Sequence, residues 1–260
     1  MAPRHAFLAA SALAMSALGT GATLTYYEES LPTTLNPLYA RSMVDYRSQE
    51  LVFDRLWFHD AINNELRSRI VEKWELAEQG YALKITLRQG IKWHSGKPLV
   101  SKDICFTVKA MLDPRTTSPV AEEYREFIKD CETEGSQVAL VRFKRVFHNP
   151  RERLGFAVLP SHQFKSTAVT PELEFSAKPT GTGPMTGSRG RRGAKFDAFA
   201  NGHHTPLVAQ LALQEGGDPL VQVKTLINNG VQGIIAVPPP LRPDLSASDE
   251  VALKSYDLRS

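Results

Sequence analysis

"LRQGIKWHSGKPLVSKDICFT" (Leu87–Thr107) changes its periodicity in the middle, and that change decides the fold. It continues "YALKITLR", in which Tyr81, Leu83, Ile85 and Leu87 alternate with Ala82, Lys84, Thr86 and Arg88, the pattern of a half-buried strand. Gln89-Gly90 interrupts the alternation, Ile91 and Trp93 resume the apolar face, and Ser95-Gly96 with Pro98 turns the chain. Beyond the turn the period becomes helical. Ser101 is expected at the N-cap with Asp103 in the first turn, Ile104, Cys105, Val108, Met111 and Leu112 form an apolar stripe, and Asp113-Pro114 ends the helix.

Further out, strands are expected near Phe127–Glu132 and Val138–Val146, which completes a β-α-β-β unit with the helix packed on an open sheet. Toward the N-terminus, "TLTYYEE" (Thr23–Glu29) reads as a strand and "LPTTLNPLY" as a loop. "DYRSQELVFDRLWF" (Asp45–Phe58) places Leu51, Val52, Leu56 and Trp57 at helical spacing. Toward the C-terminus, "PLVAQLALQ" is a strand, and "GGDPLVQVKTLINNG" is a helix with Asp218 at N-cap, Pro219 at N1 and Gly230 as stop. "VQGIIAVPPP" is a buried strand, and "SASDEVALKSYDL" a short helix and strand. The alternation gives an α/β (α+β) class.

The 260-residue chain is long enough for one large or two modest cores, and a net charge of +3 gives no reason to expect a nucleic-acid partner. "MAPRH" followed by the apolar "AFLAASALAMSALG" has the regions of a secretory signal peptide over residues 1–22, with cleavage sites after Gly19 or Ala22, and is expected to lie outside the fold. No later segment is apolar enough to span a membrane. Export would permit a disulfide between Cys105 and Cys131, the chain's two cysteines, yet Cys105 equally suits a helix's buried face as a small apolar residue.

Signals for chemistry are sparse. His94 falls on the side of Lys92 and Arg88 with no nucleophile beside it, and reads as a polar turn residue. His203 and His204 are adjacent, so they share no face of a strand or helix. No third ligand stands at a metal-site spacing, and the pair reads as loop. "PTGTGPM" (Pro179–Met185) lacks the third glycine of a dinucleotide fingerprint and the lysine of a phosphate loop, which leaves a rigid hinge or crossover turn. "GSRGRRG" (Gly187–Gly193) reads as a solvated hairpin tip. Gly-x-Ser-x-Gly, His-Glu-x-x-His and Cys-x-x-Cys do not occur, so no catalytic residue, cofactor or metal is assigned and a secreted hydrolase is disfavoured.

"TLNPLY", then "LRQGIKWHSGKPLVSKDICFTVKAMLDP", "RLGFAVLPSHQF" and "PTGTGPM" occur in an order that resembles the family 5 extracellular solute-binding proteins of bacterial ABC importers. The middle stretch is similar to that family's "LRxGVxFHDGxPxTAxDVxFT" signature, with Trp93 in place of Phe and Ser95 in place of Asp. The resemblance implies a periplasmic-binding-protein type II fold, with lobe Ia over 23–45 and 172–260 and an extra lobe Ib over 46–171. Family members are longer, so the second lobe is read as absent through truncation, a split gene or decay. A separately encoded second lobe is one possible partner.

The implied function is capture of a peptide or related small solute in the periplasm and its delivery to a membrane ABC permease, without bond-making. By motif position Arg41, Ser42 and Met43, after "LNP", would line the ligand, with Tyr124 contributed by lobe Ib. The competing reading is a non-transport interaction or structural module that pairs through an unfinished sheet edge.

Overall fold

Trp93 is fully buried, and its indole Nε1 donates to Asp103 Oδ2 at 3.1 Å. The same buried carboxylate accepts from the backbone N–H of Val100 (3.0 Å) and of Ser161 (2.9 Å). One aspartate therefore ties the turn, the start of the following helix and a later segment together. A buried carboxylate is tolerated when donors surround it in this way. In the computed structural model, which describes residues 5–10, 22–60, 62–228, 230–234 and 251–256, this turn carries the chain from a four-stranded sheet into its packed helix.

That sheet consists of β5 (Val71–Ala77), β6 (Ala82–Leu87), β7 (Ile128–Glu134) and β8 (Val138–Phe143), in the order β5-β6-β8-β7 and antiparallel throughout. The expected alternation holds: Leu83, Ile85 and Leu87 are buried, while Tyr81 lies just outside the strand and is exposed. The edge strand β5 was not anticipated. Its Glu72, Lys73 and Glu75 are exposed, charges that suit an unpaired edge and hide a strand's alternation. Helix α2 (Ser101–Leu112) packs on β7 and β8, and a Cys105–Cys131 disulfide with Cα atoms 5.0 Å apart joins α2 to β7.

Two local expectations are corrected, and one helix was not foreseen. The N-cap of α2 is Val100, not Ser101. Asp103 supplies the capping acceptor, and the Ser101 hydroxyl donates to the Gly135 carbonyl instead. The helix expected over Asp45–Phe58 is α1 (Met43–Val52) and stops at an extended Phe53, so Leu56 and Trp57 are buried from an irregular segment. Helix α3 (Pro119–Phe127), capped by Ser118, precedes β7 and was not anticipated.

The second sheet has seven strands: β1 (His5–Ala10), β2 (Thr23–Glu28), β9 (Met185–Gly190), β10 (Gly193–Ala198), β11 (Gln210–Glu215), β12 (Gly233–Ile234) and β13 (Val251–Tyr256). Their order is β13-β1-β12-β2-β11-β10-β9, with β2 parallel to both β11 and β12. Helix α4 (Pro219–Ile227) connects β11 to β12, and the Asp218 carboxylate accepts from Leu220 N–H (2.7 Å) and Val221 N–H (3.3 Å) as expected of its N-cap. β9 and β10 form the hairpin expected around "GSRGRRG". The short strand pair β3 (Phe58–His59) and β4 (Leu66–Arg67) stands apart.

His5–Ala10 lies between Val251–Tyr256 and Gly233–Ile234 and pairs antiparallel with both. Of "VQGIIAVPPP" only Gly233–Ile234 is a described strand. The helix expected at the start of "SASDEVALKSYDL" lies outside the described residues. By contact density the chain divides into two units. One holds residues 1–32, 188–198 and 206–260, and the other residues 33–187 and 199–205.

Candidate ligand-binding face

The loop after "TLNP" is wound around a single buried carboxylate. Asp45 accepts from the N–H groups of Thr33 (2.7 Å), Arg41 (3.0 Å) and Ser42 (3.1 Å), and the Ser42 hydroxyl accepts in return from Asp45 N–H (3.1 Å). This reciprocal pair is a capping box on α1. Burial alone would raise the Asp45 pKa, but the backbone donors of Arg41, Thr34 and Thr33 outweigh it and hold it below the usual range. Gln49 on the next turns donates to the Asn36 carbonyl (3.1 Å), and the Tyr39 hydroxyl donates to the Val169 carbonyl (2.8 Å). The loop is thus held rigidly from below.

Beside it opens a recess of about 280 Å³ between α1, α3 and the 155–157 segment. Tyr124, Phe156 and Phe53 make its apolar wall, with the Tyr124 and Phe156 rings edge-to-face at 5.4 Å. Burial, reinforced by the Glu123 charge, pushes the Tyr124 phenol well above its ordinary range. The polar wall carries Glu50, Arg55 and Tyr46, with Arg55 Nε 3.6 Å from Glu50 Oε1 and its guanidinium 5.7 Å from the Tyr46 ring centroid. Glu123 stands at the same recess. An adjoining, more open depression is lined by Arg41, Glu122 and Arg125 and shares Ala40, Tyr46 and Pro119 with the first.

Of the four residues singled out in the sequence, Tyr124 lines the recess and Arg41 the depression next to it. Ser42 is engaged as the cap of α1, and Met43, 63% exposed, lines neither hollow. Glu50, Arg55, Phe156 and Glu123 were missed. They come from four places in the chain, and no spacing pattern marks them in advance.

His94 is not the solvated turn residue its neighbours suggested. Its Nδ1 accepts from Gly181 N–H (3.1 Å), and its Nε2 lies 3.0 Å from the Gly183 carbonyl, which fixes the proton on Nε2. The glycines of "PTGTGPM" are required by close packing. A Cβ on Gly181 would lie 1.7 Å from the Val52 carbonyl oxygen, and one on Gly183 would lie 2.6 Å from the Val52 carbonyl carbon. The motif is a strap that closes over the end of α1. Thr182 between the glycines donates to buried Asp54 (2.9 Å).

Asp54 also draws in the histidine pair. His203 Nε2 lies 3.0 Å from Oδ2, and His204 Nε2 lies 3.0 Å from Oδ1. No third ligand stands near the pair in the chain at a metal-site spacing, and the tertiary fold supplies Asp54 from far upstream. Burial works against ionisation of Asp54, but its hydrogen bonds to His203 and His204 prevail and hold it down to about 2.

The fold is that of periplasmic binding proteins. The chain superposes with a TM-score of 0.80 on the Bacillus subtilis oligopeptide-binding protein AppA, solved in complex with a nonapeptide, at 21% identity over 89% of this chain and 47% of that one. It superposes at 0.76 on NikZ from Campylobacter jejuni in complex with Ni(L-His), at 20% identity over 87% of this chain and 45% of that one. More narrowly, the model for "Bacterial extracellular solute-binding proteins, family 5 Middle" matches residues 65–257, and the chain belongs to that family. A probable di/tripeptide-binding protein of Pseudomonas aeruginosa is 27% identical over 95% of this chain and 51% of its own length. Protein XP55 of Streptomyces lividans is 24% identical over 89% of this chain and 42% of its own length. The chain spans about half the length of these curated relatives.

Proposed function

We propose that this protein is a substrate-binding component of an ABC importer, exported to the periplasm, that captures peptides or a related small solute for a membrane permease. The observation that carries this reading is the mixed recess beside α1. An apolar aromatic wall, an Arg55–Glu50 pair and Glu123 together suit a zwitterionic chain bearing side chains of varied kind. Arg41 beside the recess and Tyr124 within it are the ligand-lining residues of this proposal, with Ser42 and Met43 on the loop that carries Arg41. Lobe Ia over 23–45 and 172–260, lobe Ib over 46–171 and a removable segment over 1–22 belong to it as well. The relatives' names support binding rather than bond-making, since those that name a role name a bound solute.

The test is isothermal titration and thermal shift of the purified chain against dipeptides, tripeptides and longer peptides. A peptide class that raises the melting temperature is expected. Arg41→Ala, at an exposed position that lines the adjoining depression, is expected to weaken its affinity by about threefold to tenfold, near 1 kcal/mol. No shift with any peptide, from a sample shown to be folded, would overturn solute capture by this chain.

A further inference from the structure

We propose that Asp54, His203 and His204 form a binding site for a divalent transition-metal ion, an ion that clips the 199–205 loop to the end of α1. Each of the three offers one ligand atom, and these atoms lie within 4.8 Å of one another. The two imidazole rings lie tilted at 43° with centroids 4.1 Å apart, and both turn Nε2 toward one carboxylate. Two neutral imidazoles and one carboxylate are a donor set for zinc, nickel, cobalt or copper rather than for magnesium or calcium, which prefer oxygen.

The two imidazole–carboxylate spacings are those of a coordination shell, and the wider separation within the cluster, up to 4.8 Å, closes by a turn of the histidine side chains onto the ion. Ligand atoms about 2.0–2.2 Å from a common ion, at tetrahedral or right angles, stand about 3–3.5 Å apart. The His203 and His204 contacts to Asp54 are each 3.0 Å. An ion entering between them would take the place of the two Nε2 hydrogens, each neutral ring then carrying its single proton on Nδ1 and offering the Nε2 lone pair to the ion.

The surroundings support the three ligands. Thr182 Oγ1 donates to Asp54 Oδ2 at 2.9 Å and orients the carboxylate from behind, as an outer-shell partner does. Arg69 Nη1 stands 3.9 Å from Oδ1, its guanidinium stacked 4.3 Å from the Phe58 ring centroid. The loop is braced on its other side, where Phe199 N–H donates to the Pro184 carbonyl (2.9 Å) and the Phe199 ring meets the His94 ring edge-on at 4.8 Å. Asp54 is 1% exposed, whereas His203 and His204 are 21% and 15% exposed. An ion can therefore arrive from solvent on the histidine side, and water can fill its remaining positions.

The experiment uses the full chain, carrying no polyhistidine tag and stripped with chelator, titrated with Co²⁺ by visible absorption and with Zn²⁺ by calorimetry. One equivalent should bind, with ligand-field bands for Co²⁺ and a raised melting temperature for Zn²⁺. His203→Asn and His204→Asn should each lower the affinity about tenfold or more, while His162→Asn, whose ring bonds the Ser95 hydroxyl and is not among the three ligands, should leave it unchanged. Asp54 is too buried to be a clean variant, so the exposed histidines carry the test, with circular dichroism confirming their fold. Stoichiometric binding retained in the His203→Asn/His204→Asn double variant, or no binding by the parent chain, would overturn the site.

Discussion

His94 sits where a protonated imidazole has no place. Its Nδ1 accepts a backbone N–H, and burial holds its pKa below the ordinary histidine range against the opposing pull of the Gly183 carbonyl and the Asp54 charge. The folded pKa is lower than the unfolded one, so the unfolded chain takes up the proton first as pH falls. The contribution of His94 is complete above about pH 6.5, declines below it, and levels off beneath the folded pKa. The denaturation midpoint is therefore expected to drop between about pH 7 and pH 5. His94→Gln should be less stable at neutral pH by about 1–3 kcal/mol and should lose part of that pH slope. An unchanged slope in the variant would show that another group titrates. His94 also illustrates how little a local reading tells about a polar residue. Lys92 and Arg88 on the same side suggested solvent, and the strap that buries it arrives from residues 181–183.

At the level of elements, the disulfide is the strongest single tie between α2 and its sheet. Cys105 and Cys131 are 26 residues apart, and closing a loop of that length in the unfolded chain is worth about 3 kcal/mol. Reduction, or the Cys105→Ala/Cys131→Ala pair, is expected to lower stability by about 2–4 kcal/mol, read as a denaturant midpoint shift at unchanged slope. A shift near zero would mean that packing of Ile104, Val108 and Met111 on β7 and β8 alone sets the stability of this layer. Both cysteines were visible in the sequence but their pairing was not, since a buried thiol and a half-cystine leave the same mark on an apolar helix face. The early stop of α1 was equally hidden. Leu56 and Trp57 keep the apolar spacing, but the chain at Phe53 is drawn out as its N–H closes the helix on the Gln49 carbonyl and the glycine strap closes on Val52.

Over the whole molecule, the division into two units predicts two unfolding events. Trp57, Trp74 and Trp93 all lie within residues 33–187, as does the disulfide, whereas most of the seven-stranded sheet belongs to the other unit. Tryptophan fluorescence should follow only the first unit, and far-ultraviolet circular dichroism should report both. Reduction of the disulfide is expected to move the fluorescence transition and leave the remaining dichroism transition in place. A single coincident transition by both probes, shifted as one by reduction, would show that the units unfold together.

The sequence by itself determined the elements whose signals are local. The alternation of β6, the turn at Ser95-Gly96, the apolar stripe of α2, the Asp218 cap of α4 and the hairpin at "GSRGRRG" follow from side-chain period and backbone preference. The ordered motifs from "TLNPLY" to "PTGTGPM" carried the family as well. Only the tertiary structure decided which distant groups meet. The edge strand β5 is charged because it faces solvent, so its pattern carried no signal. Glu50, Arg55, Glu123 and Phe156 converge on one recess from separate elements. Asp54 reaches His203 and His204 across 150 residues of chain because helix α1 stops where it does. Local propensity acts over a few residues, whereas a site is made by packing, and packing joins residues without regard to their separation.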